Sequence, residues 1–343
     1  MSKLLYNKKI ADAVFEGGGV KGIGLVGALN IMEENGYSWR NIAGTSAGAV
    51  IASLISAGYS ASELKNLIKQ IDYTAMIDHS KHKFSFKKIS NLIIKKGLYN
   101  GNYITKIIDT FLYDKLKWKL GTRKKVQFRD MIIPNEKGIL LNNPRYKRKY
   151  KLHIIAADIT RGRMLILPED IIDYGINPDT LEVSLAVRMS ISIPFFFQPI
   201  ILENKIIKEK SSIVDGGILS NYPVWLFDEN SLPQYPTIGF KLGGGKELER
   251  KHKTNNIINL SLAIIETMLE AEDDIHISKM DFLRTLKINT HGIKSTDFNI
   301  TPENINILYK SGENSAKKFL NVADDNYRKY IELFKRKKRI FNI

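Results

Sequence analysis

Short apolar runs alternate with amphipathic stretches along most of this chain. Ala11 to Glu16 is a brief, mostly apolar run that ends at once in Gly17 to Gly19, the pattern of a buried strand closing in a tight turn. Beyond the turn, Ile23, Val26 and Ala28 to Met32 recur at helical spacing until Gly36 stops the helix. The unit then repeats, with a strand over Trp39 to Ala43, a turn at Gly44 to Gly48, and a helix over Ala49 to Ala57 ended by Gly58. Ser60 and Glu63 form a capping box for a further helix through Ile71.

The lysine-rich stretch from Asp72 to Lys96 is less regular and reads as a surface insertion, with a lid over a site as the alternative. After it, Ile104, Ile107, Ile108, Phe111 and Leu112 mark one face of an amphipathic helix. Leu152 to Ala157, "RMLILP" after Gly162, "SIVDGG" up to Gly217 and "PTIGFKL" up to Leu242 read as strands, and Leu260 to Leu269 and Tyr327 to Phe334 as late helices. Strands alternating with helices predict an α/β fold, a mainly parallel central sheet with helices on both faces. No internal repeat, low-complexity linker or break in composition divides the chain, so residues 1–343 are expected to form one elaborated α/β domain.

Composition narrows the chemistry. With 343 residues, 43% hydrophobic and 26% charged, the chain is long enough to bury a large core and has an ordinary globular balance. No segment approaches the roughly 18 to 20 apolar residues of a membrane span. Met1 to Ile10 is polar, with no apolar region after it, so no secretory signal is read and a cytoplasmic place is expected. The absence of cysteine removes disulfides and thiolate chemistry, and the six histidines form no H-E-x-x-H arrangement, so neither metal nor cofactor is expected. The net charge of +16 is concentrated in runs at Lys81–Lys88, Lys115–Lys125, Arg145–Lys151 and Lys335–Arg339. An anionic bilayer or a nucleic acid would suit it, but no nucleic-acid-binding motif is present.

Gly44-Thr45-Ser46-Ala47-Gly48 is G-x-S-x-G between an expected strand and helix, the setting of a nucleophile elbow that lifts a serine hydroxyl out at the carboxyl edge of a sheet. A serine needs a base. His252, His276 and His291 follow Asp215 in the order of a Ser-Asp-His triad, and His291 is the best placed of them, beside a glycine after a strand-like segment. The alternative base is Asp215 itself, a carboxylate at a strand end followed by Gly216 and Gly217, whose basicity burial would raise. The loop "GGGVKG" also satisfies G-x-G-x-x-G, the dinucleotide fingerprint. A dinucleotide site wants an acidic residue about 20 positions on, and Arg40 to Thr45 holds none. A Walker loop fails as well, because Gly22 follows Lys21. The same glycines suit backbone N–H groups aimed at an oxyanion.

Three motifs in this order resemble the patatin-like phospholipases, serine lipid acyl hydrolases with a Ser–Asp dyad. They are Gly17-Gly18-Gly19-Val20-Lys21-Gly22, Gly44 to Gly48, and Asp215-Gly216-Gly217, supported by "LHIIAADITRG", "AVRMSISIPFFFQPI" and "NYPV". The resemblance spans residues 11–242, leaving 243–343 as a helical and strand extension. It implies an α/β-hydrolase-related three-layer fold, Ser46 as nucleophile, Asp215 as base, and Gly17, Gly18 and Gly19 as the oxyanion hole. Lys21 reads as a solvated residue at the helix start, or as positive potential near lipid phosphate. The implied activity is phospholipase A-type cleavage of membrane acyl esters, either constitutive or gated by an activating ligand or protein. Ile191 to Ile201, with Phe195 to Phe197, is a candidate groove wall or core packing, and "YRKYIELFKRKKRIF" a candidate helix for contact with an anionic membrane.

Overall fold

A computed structural model describes residues 9–76, 94, 96–133, 149–205, 207–229, 231–243, 254–255, 260–261, 263–264, 267–268 and 278–341. The first β-α-β unit forms as the apolar periodicity requires: β1 (Lys9–Phe15), α1 (Ile23–Glu34) and β2 (Tyr37–Thr45), then α2 (Ala47–Ser56) and α3 (Ala61–Gln70). The Ser60–Glu63 capping box opens α3, each side chain answering the other's backbone N–H. There follow β3 (Gly97–Tyr99), α4 (Asn102–Leu120), β4 (Leu152–Asp158), β5 (Arg163–Leu167), α5 (Val183–Ser190), β6 (Phe195–Phe197), β7 (Ile200–Glu203) and β8 (Lys210–Asp215). The chain closes with β9 (Thr237–Leu242), α6 (Lys279–Leu283), β10 (Thr285–Ile288) and α7 (Pro302–Phe341). Within the expected helix Leu260–Leu269, the described residues are helical.

The main sheet runs β10-β9-β1-β2-β4-β8-β7, with β5 also on β4, and β3 pairs with β6 in a separate ribbon. From β10 to β4 every pair is parallel, as expected. Beyond β4 the direction changes, since β5 and β8 are antiparallel to β4, and β7 to β8. This is a three-layer α/β fold around a mixed sheet. Strand alternation divides the core: Ala13 and Phe15 of β1, Ile42 of β2 and Ile154 of β4 face the larger cluster with α1, α2, α4, α5 and α7. Val14, Ala43 and Ile155 face the other side, against Leu226 and Phe227.

Two buried ion pairs brace β1. At its middle Arg40 donates to both oxygens of Asp12, at 3.0 and 2.8 Å, and Asn41 donates to the same carboxylate. At its end Glu16 takes Lys241 Nζ at 2.9 Å and the Leu242 amide, tying the residue before the glycine loop to β9. Both partners of this second pair are buried, so losing either would strand a charge in the interior.

The length of α7 was not legible from its sequence. Its first half lies along α1 at glycine contacts: a Cβ on Gly27 would sit 2.0 Å from the Tyr309 carbonyl, and one on Gly312 2.0 Å from the Gly24 carbonyl. Helix propensity alone makes Gly27→Ala stabilising by about 1 kcal/mol. The close approach reverses the sign, and a loss of about 1–3 kcal/mol is expected. Urea unfolding checks it, and a raised midpoint would refute the packing.

Candidate active site

The elbow and the carboxylate meet because β2 and β8 share one edge of β4. Since β5 occupies the other edge from Ile154 to Asp158, Thr45 of β2 pairs with Ile155 and, one rung on, Asp215 of β8 pairs with Ala156. A parallel strand leaves this edge just where an antiparallel one arrives. Ser46, the first residue past β2, is thus set beside Asp215. Sequence reasoning placed Asp215 at the end of an apolar strand in a mainly parallel sheet, at the edge where the elbow opens. The antiparallel direction of β8 corrects the route but not the destination.

Ser46 has φ 52° and ψ −122°, a left-handed conformation for a non-glycine residue. Its flanking glycines allow the turn, because a Cβ at Gly44 would lie 2.3 Å from the Gly48 backbone, and one at Gly48 2.2 Å from the Phe15 carbonyl. The Ser46 N–H donates to Ser190 Oγ at 2.8 Å, and the Ser190 hydroxyl donates to the Ile155 carbonyl at 2.5 Å. Two residues on, the Ser192 carbonyl accepts the Asp215 N–H at 2.9 Å. The block "RMSIS" therefore holds both candidate residues by their backbones, a role that sequence reasoning did not assign. Arg188 in this block is buried. It bonds the carbonyls of Asn100 and Gln198 at 2.7 Å each, and desolvation pushes its guanidinium down to about 10.

Asp215 is fully buried, and desolvation raises its carboxyl from 3.8 to about 7, against the opposing pull of the Gly217 N–H and the Ser46 hydroxyl. Gly217 N–H donates to Oδ1 at 2.8 Å. The Ser46 hydroxyl is near enough to lower the carboxyl's pKa, yet no bond between them meets strict hydrogen-bond geometry, and Oδ2 has no partner among the described residues. Such contacts commonly tighten only once substrate is bound. Gly216 packs flat on the Ile155 carbonyl, where a Cβ would be 2.4 Å from the oxygen.

The glycine loop lies against the elbow. A Cβ on Gly17 would be 3.1 Å from Ser46 Cβ, and one on Gly22 3.1 Å from Ala47 Cβ. Gly19 has φ +53° and approaches the Ser295 carbonyl so closely that a Cβ would lie 2.0 Å away. Two expectations need correction. The Gly17 N–H is committed to the Asn221 carbonyl at 3.1 Å and so is not free to hold an oxyanion, whereas among the described residues no hydrogen bond engages the N–H groups of Gly18 and Gly19. Lys21 is not solvated but only 7% exposed, because the 3₁₀ turn Gly19–Gly22 folds its stem back over Gly18.

Asn221 also donates from Nδ2 to the Gly17 carbonyl at 3.4 Å, and the Ser220 carbonyl accepts from Thr45 Oγ1 at 3.0 Å. One short segment after Asp215 thus ties down both the glycine loop and the elbow. Of the candidate triad histidines, His252 and His276 lie outside the described residues. His291 is exposed in a turn after β10, which stands three strands from β2, about 14 Å at ~4.8 Å per strand. Among the described residues the buried histidine is His153, whose Nε2 is 3.2 Å from Glu169 while its ring packs on Phe227. Among the described residues no group of three or more His, Cys, Asp or Glu side chains gathers as metal ligands.

Ser46 stands at one end of an apolar slot of about 130 Å³ between α1, α2, α3 and α4. Ala47, Val50, Ile51 and Leu54 supply one face of α2, a run of about 10 Å at 1.5 Å per residue. Ile108 and Phe111 of α4 and Leu64 and Ile68 of α3 close the far side. The phenylalanine run divides as both readings anticipated: Phe197 lines the slot, Phe196 packs on Tyr99 and Phe298, and Phe195 is exposed. Tyr73 and Met76, at the start of the stretch read as a surface insertion with a lid as the alternative, also line the slot, and 77–93 and 95 lie outside the described residues.

A family model described as patatin-like phospholipase matches residues 13–228, a span that holds the glycine loop, Ser46 and Asp215. The chain is 36% identical over 311 residues to YqhO of Bacillus subtilis (strain 168), covering 90% of this chain and 97% of that protein. It is 26% identical over 211 residues to the probable lipid hydrolase 463L of Invertebrate iridescent virus 6, covering 62% of this chain and 61% of the relative. VipD from Legionella pneumophila shares the fold, with a TM-score of 0.52 at 19% identity over 92% of this chain and 67% of that one. Built on the three-layer fold, with its glycine loop, serine elbow and aspartate in the family's order, the chain belongs to the patatin-like phospholipase family.

Proposed function

We propose that this protein is a serine lipid acyl hydrolase of phospholipase A type, with Ser46 as nucleophile and Asp215 as its sole base. The observation that carries the reading is an elbow serine at the end of an apolar slot, set beside a buried carboxylate whose pKa is raised to about 7. The slot takes the acyl chain, and the ester is left at Ser46. Ser46 Oγ attacks the carbonyl carbon as its proton passes to Asp215, and the N–H groups of Gly18 and Gly19 hold the negative oxygen of the tetrahedral intermediate. Collapse breaks the bond to the alcohol, which leaves as a lysolipid with the proton from Asp215. Water then gives a proton to Asp215 and attacks the acyl-enzyme, releasing the fatty acid and returning the proton to Ser46.

Burial serves this chemistry directly. An exposed aspartate is too weak a base for a hydroxyl, whereas a carboxyl near 7 is matched to neutral pH. It also has a thermodynamic consequence. The folded state holds the Asp215 proton up to about 7 and the unfolded state releases it near 3.8, so stability falls as pH rises between those values.

Fatty-acid release from defined phospholipids tests the assignment: Ser46→Ala and Asp215→Asn should lose about 10³-fold or more in kcat, and His291→Ala should match wild type. Activity kept in Asp215→Asn and lost in His291→Ala would overturn the dyad. The wild-type kcat/KM should rise with pH through about 7 and level off above it, since the base must be ionised. Asp215→Asn should melt higher than wild type at pH 8, the gap closing towards pH 4; an equal or lower Tm at pH 8 would contradict a carboxylate buried without compensation. Leu54→Trp should shorten the slot, lowering long-chain turnover about 10- to 200-fold relative to short-chain esters.

A further inference from the structure

Where the protein meets its lipid follows from the placement of two surfaces, and this inference rests on the lipid-hydrolase reading. Sequence alone pointed to the basic helix end "YRKYIELFKRKKRIF". In the fold, α7 begins beside the carboxyl end of β10, where Ser311 Oγ donates to the Asn289 carbonyl at 2.7 Å. It reaches the opposite edge at Tyr330, stacked 5.3 Å over Arg284, the residue that precedes β10. Lys335 to Lys338 continue beyond that point. Ser46 follows the carboxyl end of β2, which is parallel to β10 through β1 and β9. A bilayer held by the end of α7 would therefore meet the wrong end of the sheet, about 20 Å from the nucleophile over a seven-residue strand such as β1.

The catalytic edge carries a different surface. Past the rung that pairs Asp215 with Ala156, β4, β8 and β7 continue upward as a ribbon with one exposed face. Ile159, Ser212 and Ile201 share one rung there, three residues or about 10 Å beyond Asp215. Residues directly across a rung point to the same face. Ile159 and Ile201 are each 51% exposed, while their neighbours Asp158 and Leu202, on the other face, are buried. The β7–β8 hairpin adds Ile207, 55% exposed, with Lys205, Lys208 and Lys210 all at the surface. Its Asn204 donates to the Asp173 carbonyl, which fixes the tip beside the exposed Ile172.

The same chain leads back into the slot. Phe197 lines it, and Phe195, two residues earlier, is held at φ 64° with its ring 41% exposed. A bulky residue in that conformation is uncommon away from functional turns. Arg161 lies 3.7 Å from Glu209, so the edge holds four basic side chains against Glu203 and Glu209, a net positive rim around isoleucines. Among the described residues of the other basic runs, Lys115 pairs with Glu63, Arg123 with Asp130 and Lys149 with Asp179, each within 2.8 Å.

We propose that the β7–β8 hairpin and the end of β4 form the docking surface for an anionic phospholipid bilayer. Ile159, Ile201 and Ile207 enter the acyl boundary, and Lys205, Lys208 and Lys210 sit among the headgroups. Three lysines near such a surface strengthen binding by about a hundredfold together, and the docked edge is the edge of the sheet at which Ser46 lies.

Flotation with phosphatidylserine/phosphatidylcholine vesicles, performed on Ser46→Ala protein so that the lipid persists, tests the surface. Ile201→Glu/Ile207→Glu and Lys205→Glu/Lys208→Glu should each weaken binding at least tenfold, while Lys335→Glu/Arg336→Glu/Lys337→Glu/Lys338→Glu stays within twofold. With Ser46 intact, the hairpin variants should turn over a monomeric short-chain ester within twofold of wild type, which shows that they fold. The proposal is overturned if the α7 variant loses the vesicles and the hairpin variants keep them, or if Ser46→Ala protein does not float at all. Hairpin-dependent flotation without any ester turnover would leave the surface standing and remove the hydrolase reading.

Discussion

One edge of β4, shared by two strands of opposite direction, determines the geometry of the candidate site. Each strand can pair on two sides, and here β5 takes one of them. The other is divided at Ile155 and Ala156, β2 ending at the first and β8 at the second. Hydrogen-bond register thus sets the spacing of Ser46 and Asp215 before any side chain interacts. Ser190, Ser192, Ser220 and Asn221 then fix the loops on either side, each through a hydrogen bond to or from a backbone group.

Two buried carboxylates show how differently the interior treats the same group. Glu16 faces Lys241 and the Leu242 amide, and its charge is met by a charge. Asp215 has only neutral donors near it, and no cation is among the groups that shift it, so the cost of burial remains as a raised pKa. The first arrangement anchors the glycine loop to β9. The second keeps a proton acceptor poised near neutrality. Stability and basicity are opposed in Asp215, which marks it as a candidate functional group.

Much of the β-strand and helix order was legible because strand and helix periods differ and glycines punctuate them. The capping box of α3 and the units around β1, α1, β2 and α2 formed with ends shifted by a few residues. The antiparallel course of β8 and the β3–β6 ribbon were not legible, because an apolar strand carries no mark of its direction or its partner. Lys21 was misjudged for a related reason: a lysine in a glycine turn looks solvated until the turn's curvature is known. Charge patterning was silent in the same way at α7, where a basic amphipathic segment marks a surface but not which end of the sheet it occupies.

The sequence by itself determined the chemistry on offer: a serine in an elbow, an aspartate before two glycines, a glycine-rich loop, and no cysteine. Those are properties of residue type and local spacing, and local backbone sterics enforce them wherever the segment folds. Only the tertiary structure decided which N–H groups of the loop stay available, that Asp215 is dry, and that the isoleucine ribbon and the serine share an edge. Each of these depends on contacts between segments far apart in the chain, and hydrogen-bond saturation and desolvation exist only once those segments have met.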